Sequence, residues 1–118
     1  MIFTIDINKI LTACIRAAKK SPCKYKVSCV LVDNRGRIVA TGFNFTSTNS
    51  KRYGTFSIHA EMQALSKVRK PSTNLTAFIY RKNGRMITPC HSCAVILKAY
   101  GITTVWHTAG NSEFIKTL

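Results

Sequence analysis

Acidic residues are what this chain most lacks. Among 118 residues, only Asp6, Asp33, Glu61 and Glu113 carry side-chain carboxylates, against eighteen Lys and Arg, so the formal net charge is +14. An exterior of that kind cannot be laced with internal ion pairs, and its field favours a partner that bears phosphate. Long apolar runs are also missing: nothing approaches the roughly 18 residues a bilayer span requires. The opening Met-Ile-Phe-Thr-Ile-Asp has neither the basic start nor the apolar stretch of a secretory signal. No membrane partner and a cytoplasmic setting are therefore expected. Cysteine is sparse and odd in number, namely Cys14, Cys23, Cys29, Cys90 and Cys93. Without an export signal, these argue against a disulfide framework and for thiols that are free or on metal in a reducing compartment. No repeat, low-complexity tract or linker breaks the chain, so residues 1–118 are expected to form one domain with a core that needs no covalent staples.

Periodicity supplies the elements. Ile7, Ile10, Leu11, Cys14, Ala17 and Ala18 recur at helical spacing and end in Arg16, Lys19 and Lys20 before Pro22, which stops a first helix. The β-branched run from Val27 to Val32 and the run from Ile38 to Phe43 flank the turn residues Asp33 to Gly36, which predicts a hairpin. Both runs are apolar on each face, so the sheet is expected to be covered on both sides. Residues 44–57 have no period and are rich in Thr, Ser and Asn, which reads as a long functional loop. A second helix is expected from about Ile58 to Val68, a third strand from Leu75 to Arg81, and a third helix that starts at Thr88-Pro89 and runs to about Tyr100. Strands from Thr103 to His107 and from Glu113 to Leu118 complete an α-β-β-α-β-α-β-β order, which predicts an α/β sandwich.

The chemistry lies in His59-Ala60-Glu61 and Pro89-Cys90-His91-Ser92-Cys93. Either piece alone is weak, since H-x-E arises by chance and C-x-x-C is also a redox pair. Together, at two helix starts separated by a strand, they are specific. Zinc takes imidazole nitrogen and thiolate sulfur in a tetrahedral shell. Cys90 and Cys93 stand three apart in a first helical turn, so their thiols face one way, and the helix start favours the thiolates. With His59 they make three protein ligands and leave a fourth position for water, whose pKa zinc lowers to about 7. Glu61 lies within reach of that water without binding metal and suits a proton carrier.

This H-x-E…P-C-x-x-C pattern is the signature of zinc nucleobase deaminases. The chain resembles the cytidine deaminase-like superfamily, in particular its CMP/dCMP-type branch, over nearly its whole length. The resemblance implies a three-layer α-β-α sandwich with a mixed five-stranded sheet, Zn2+ as cofactor on His59, Cys90 and Cys93, and Glu61 as the proton shuttle. It also implies zinc hydroxide attacking C4 of cytosine, with Ala60 under the base. Gly42-Phe43-Asn44 resembles the family's Gly-x-Asn, whose asparagine bonds the sugar; a plain turn asparagine fits the same residues. Free-nucleoside deaminases usually have Cys as first ligand and an acid two residues past the asparagine, where this chain has His59 and Thr46. That turns the expectation toward a cytosine-containing nucleotide, with Lys51, Arg52 and Tyr53 as further substrate contacts.

Two alternatives stay open on the sequence. The charge also suits a deaminase of single-stranded DNA or RNA, a nucleic acid editing role. A non-catalytic zinc module that binds nucleic acid would close its metal shell with His91 or His107, but leaves Glu61 without a purpose. Cys14 and Cys29 fall on apolar faces and read as core, with a second metal on Cys23 and Cys29 as the lesser alternative. Homo-oligomers are common among such relatives, although stacking +14 chains costs repulsion.

Overall fold

The computed structural model describes residues 6–50, 54–68, 75–82, 97–108, 110 and 114–116. Helix α1 (Ile7–Lys19) begins at Asp6, whose carboxylate accepts from Lys9 N at 3.1 Å, and ends with Arg16 and Lys19 in its last turn, where cations suit the exposed carbonyls. Strands β1 (Val27–Val32) and β2 (Ile38–Phe43) follow, then β3 (Phe45–Ser50), β4 (Gly54–Ile58), helix α2 (Ala60–Ser66), β5 (Leu75–Arg81), β6 (Ile102–Thr108) and β7 (Phe114–Lys116). Residues 97–99 are helical, at the end of the segment expected to form the third helix.

The main sheet runs β2-β1-β5-β6-β7. β5 and β6 are parallel and the other neighbours antiparallel, which makes the predicted mixed five-stranded sheet. The β1–β2 turn is chemically specified. Gly36 takes φ 81°, and Asp33 Oδ1 accepts from the backbone N–H groups of Arg35 and Arg37, each at 2.9 Å, while Arg37 Nε reaches Oδ2 at 3.0 Å. Desolvation raises the Asp33 pKa, but these donors and the Arg37 charge outweigh it and hold the carboxyl below its ordinary range.

Side chains alternate between two covered faces, as the strand period requires. Cys29, Leu31, Ala77, Ile79 and Val105 meet Ala60, Ala64 and Leu65 of α2, joined by Leu97. Val30, Val32, Phe78 and Tyr80 meet Ile10, Cys14 and Ala18 of α1. Trp106 packs on this second face, its ring stacked on Phe78 at 6.2 Å, as a core residue would. The sheet is thus the middle of three layers.

Cys14 and Cys29 lie fully buried in these two clusters, in keeping with the core reading. Burial pushes the Cys14 thiol up to about 12, against a weaker opposite pull from the Ser28 hydroxyl, so this thiol is neutral and inert in the folded protein.

The structure corrects one expectation. The described residues of the segment expected as a loop over 44–57 are not structureless, because β3 and β4 pair antiparallel as a separate two-stranded ribbon, Phe45 opposite Ile58 and Thr46 opposite Ser57. Hydrophobic periodicity marks strands through a buried face. This ribbon's Thr and Ser residues suit extended backbone without supplying an apolar alternation, so the pattern was silent there.

Candidate active site

The site is built where β2 passes the chain to the ribbon and the ribbon passes it to α2. Three contacts seat α2 on β2. At Gly42 the two backbones touch: a Cβ there would lie 2.4 Å from Ala60 O and 2.5 Å from Ala64 N. Gly42 is not among the glycines with positive φ, so space and not backbone conformation demands it. Farther along, Gln63 Oε1 accepts from Phe43 N at 2.8 Å, and Lys67 Nζ donates to Thr41 O at 2.6 Å. Start, middle and end of a seven-residue helix are thereby fixed, and with them the residues at its mouth.

His59 is the N-cap of α2, in extended conformation (φ −76°, ψ 149°), and its exposed side chain makes no capping hydrogen bond. The imidazole is therefore not spent on the helix start. Ala60 is fully buried against the sheet, and Glu61, one residue on, is 4 % exposed. The helix start favours a carboxylate there. A buried carboxylate is costly unless something charged or protic meets it. An imidazole at the mouth of a helix with such a carboxylate two residues on fits a zinc site, the nitrogen as ligand and the acid beside the metal.

Cys90 and Cys93 lie outside the described residues, as do His91, Lys51, Arg52 and Tyr53. Among the described residues no three His, Cys, Asp or Glu side chains gather as a metal shell. The described part of the site is thus His59, Ala60 and Glu61 beside Gly42 and the end of β2. His107, the other imidazole considered, is buried on β6.

Asn44, immediately after β2, has a role the motif alone did not reveal. Its Oδ1 accepts from Val27 N at 2.9 Å and its Nδ2 donates to Tyr25 O at 2.7 Å. Ser21 Oγ lies 2.7 Å from both Asn44 O and Oδ1, and itself accepts from Cys23 N. One amide thus knits residues 21–27 to the mouth of the site, and among the described residues its second N–H has no acceptor. Asn44→Ala is expected to cost about 2–4 kcal/mol, at about 1 kcal/mol per lost bond plus unpaired backbone groups. Chemical denaturation would read this as a lower midpoint at unchanged m. A stability loss under about 0.5 kcal/mol, the usual size for surface changes, would contradict the bracing role.

Sequence reasoning missed Gln63 and Ser21, which carry no motif. It named Gly42 only as part of Gly-x-Asn, although a glycine inside an apolar strand is itself a sign of close backbone approach.

Similarity to known proteins agrees with this geometry. Residues 5–109 match the family model described as "Cytidine and deoxycytidylate deaminase zinc-binding region". A deoxycytidylate deaminase of Schizosaccharomyces pombe is 31 % identical over 82 % of this chain, and the chain spans 35 % of that relative's length. Among solved structures, cytidine deaminase from Mycobacterium leprae superposes with TM-score 0.72 at 18 % identity, covering 96 % of this chain and 94 % of that one. The dCMP deaminase of cyanophage S-TIM5 in its apo form gives TM-score 0.64 at 22 % identity, covering 86 % and 80 %. These two share the fold, and the family match extends over most of the sequence. With His59 and Glu61 at the mouth of α2, the chain belongs to the cytidine and deoxycytidylate deaminase family.

Proposed function

We propose that this chain is a zinc-dependent hydrolytic deaminase that converts cytosine to uracil in a (deoxy)cytidine nucleotide. The observation that carries the reading is Glu61, a carboxylate buried two residues beyond His59 in a chain that has only four acids. His59, Cys90 and Cys93 would hold the metal, which when bound supplies an acidified water and a positive charge beside the base. Glu61 would pass one proton from water to the ring nitrogen and then a second, from the hydroxyl gained at C4, to the amine, which leaves as ammonia, work that needs an acid shielded from bulk solvent. Ala60 presents a small buried surface, and the second N–H of Asn44, without an acceptor among the described residues, would donate to a sugar hydroxyl. Lys51, Arg52 and Tyr53 are the proposed phosphate contacts.

Support for a nucleotide comes from the yeast relative named deoxycytidylate deaminase and from the phage dCMP deaminase, whose fold was also solved with dCMP and dUMP. Nothing in these comparisons favours a polynucleotide substrate. The thiols Cys14 and Cys23, described without disulfide partners, suit the proposed cytoplasmic setting. Among the described residues no helix is long and apolar enough to cross a membrane.

The test is a mass-spectrometric assay of the zinc-loaded protein with dCMP, CMP, deoxycytidine and a cytosine-containing single-stranded oligonucleotide. Uracil is expected from a nucleotide, with the unphosphorylated nucleoside at least about tenfold slower, the cost of losing one charge-assisted contact. Chelation should abolish turnover and added zinc restore it. Product from the oligonucleotide alone would transfer the assignment to polynucleotides, and none from any substrate would end it.

A further inference from the structure

We propose that a second anion site lies on the α1 side of the sheet, and that it takes the phosphoryl group of a small phosphomonoester. A recess of about 240 Å³ opens there, lined by Ile15, Ala18, Lys19, Lys26, Tyr80 and Lys82. Ala18 and Tyr80 belong to the core layer under α1, whereas Ala60 packs in the layer on the opposite face, so the recess is separate from the candidate active site.

Its three lysines come from three elements. Lys19 ends α1, Lys26 precedes β1 and Lys82 follows β5. Lys82 N donates to Lys26 O at 2.8 Å, continuing the β1–β5 ladder in which Val27 faces Arg81, so the backbones of these two lysines are held side by side. Lys26 Nζ donates to Ser21 O, which restrains that ammonium and leaves it two further N–H donors. Among the described residues no carboxylate lines the recess. Of the three acids among the described residues, Asp6 caps α1, Asp33 is bound by Arg37, and Glu61 is buried in α2. Three ammonium groups around one recess repel each other. The end of α1 compensates Lys19 alone, since it is a last-turn cation.

Size and charge select the ligand class. Pockets for drug-sized ligands run from about 300 Å³ upward, so this one suits a phosphoryl group with a few apolar atoms and not stacked bases. The apolar lining of Ile15 and Ala18 and the Tyr80 side chain would meet those atoms. A phosphomonoester carries about −1.5 to −2 at neutral pH, and so answers three lysines better than a singly charged diester.

The probes are inorganic phosphate, phenyl phosphate and diphenyl phosphate, titrated into the full chain at low ionic strength and followed by amide NMR shifts. Saturable binding is expected, with shifts at residues 19, 26 and 82 and phenyl phosphate tightest. The double variant Lys19→Ala/Lys82→Ala should weaken it at least about tenfold, through loss of two charge-assisted contacts. Lys9→Ala/Arg16→Ala removes the same charge elsewhere on α1 and should weaken it less than about twofold, as screened distant charges do. Absence of saturation, equal weakening by both double variants, or tighter binding of the diester would each overturn the proposal. Because neither double variant touches α2, a failure here leaves the deaminase reading standing, and an inactive deaminase leaves this site testable.

Discussion

Replacing Glu61 with glutamine is expected to remove turnover while sparing the fold and the zinc. The amide keeps the shape of the side chain but cannot take up and return a proton, and a positioned acid–base group is typically worth about 10²- to 10⁴-fold. Metal content should not fall, because the proposed ligands are His59, Cys90 and Cys93. Stability gives a second, independent reading. Glu61 is 4 % exposed, and among the described residues no buried side-chain nitrogen or oxygen lacks a hydrogen-bond partner, so an amide of the same shape keeps the packing. Glu61→Gln should therefore leave the melting temperature close to its original value while activity collapses. Paired measurements of kcat, zinc stoichiometry and Tm separate the outcomes. A lower Tm together with lost zinc would make Glu61 a structural or ligand residue and remove the proton-shuttle role.

That prediction draws on the sequence and the structure in different proportions. The H-x-E and C-x-x-C spacings are local, and zinc coordination demands particular residue types at particular offsets, so His59 and Glu61 could be named without coordinates. The strands from Val27 to Val32, Ile38 to Phe43 and Leu75 to Arg81 were legible for a similar reason. Each is a short β-branched or apolar run bounded by turn or charge signals; β1 and β5 are covered on both faces, whereas the edge strand β2 leaves Val39 exposed. The β3–β4 ribbon was not legible, because β3 beyond Phe45 is all Thr, Ser and Asn and leaves no apolar stripe to read. Nor was the bracing role of Asn44, which depends on Ser21, Tyr25 and Val27 about twenty residues earlier in the chain. Hydrogen bonds over such separations leave no periodic trace. Net charge was legible only as a total. Which lysines converge depends on how α1, β1 and β5 end beside one another, and that is a property of topology.

The same division between motif and packing makes Gly42 a sensitive position outside the H-x-E and C-x-x-C motifs. Gly42→Ala adds one carbon, and that carbon would stand 2.4 Å from Ala60 O and 2.5 Å from Ala64 N. Both are backbone atoms of α2, so no side-chain rotamer relieves the contact, and either the helix lifts from β2 or the strand bends away. Overpacking of this kind costs about 1–3 kcal/mol, more where the obstruction is rigid. The functional loss should be larger than the stability loss suggests. Lifting α2 displaces His59 and Glu61 together relative to Asn44, and a misplacement of about 1 Å in a catalytic constellation costs about 10²-fold. The variant should thus be folded but less stable, with the Gln63 bond to Phe43 N stretched and kcat reduced about a hundredfold. A companion substitution sharpens the test. Ala64→Gly removes a neighbouring side chain but not the backbone atoms that Cβ meets, so it should fail to rescue Gly42→Ala in either Tm or kcat. Full rescue by Ala64→Gly would mean that the helix stands farther from the strand, and that Gly42 is not what sets the position of the acid.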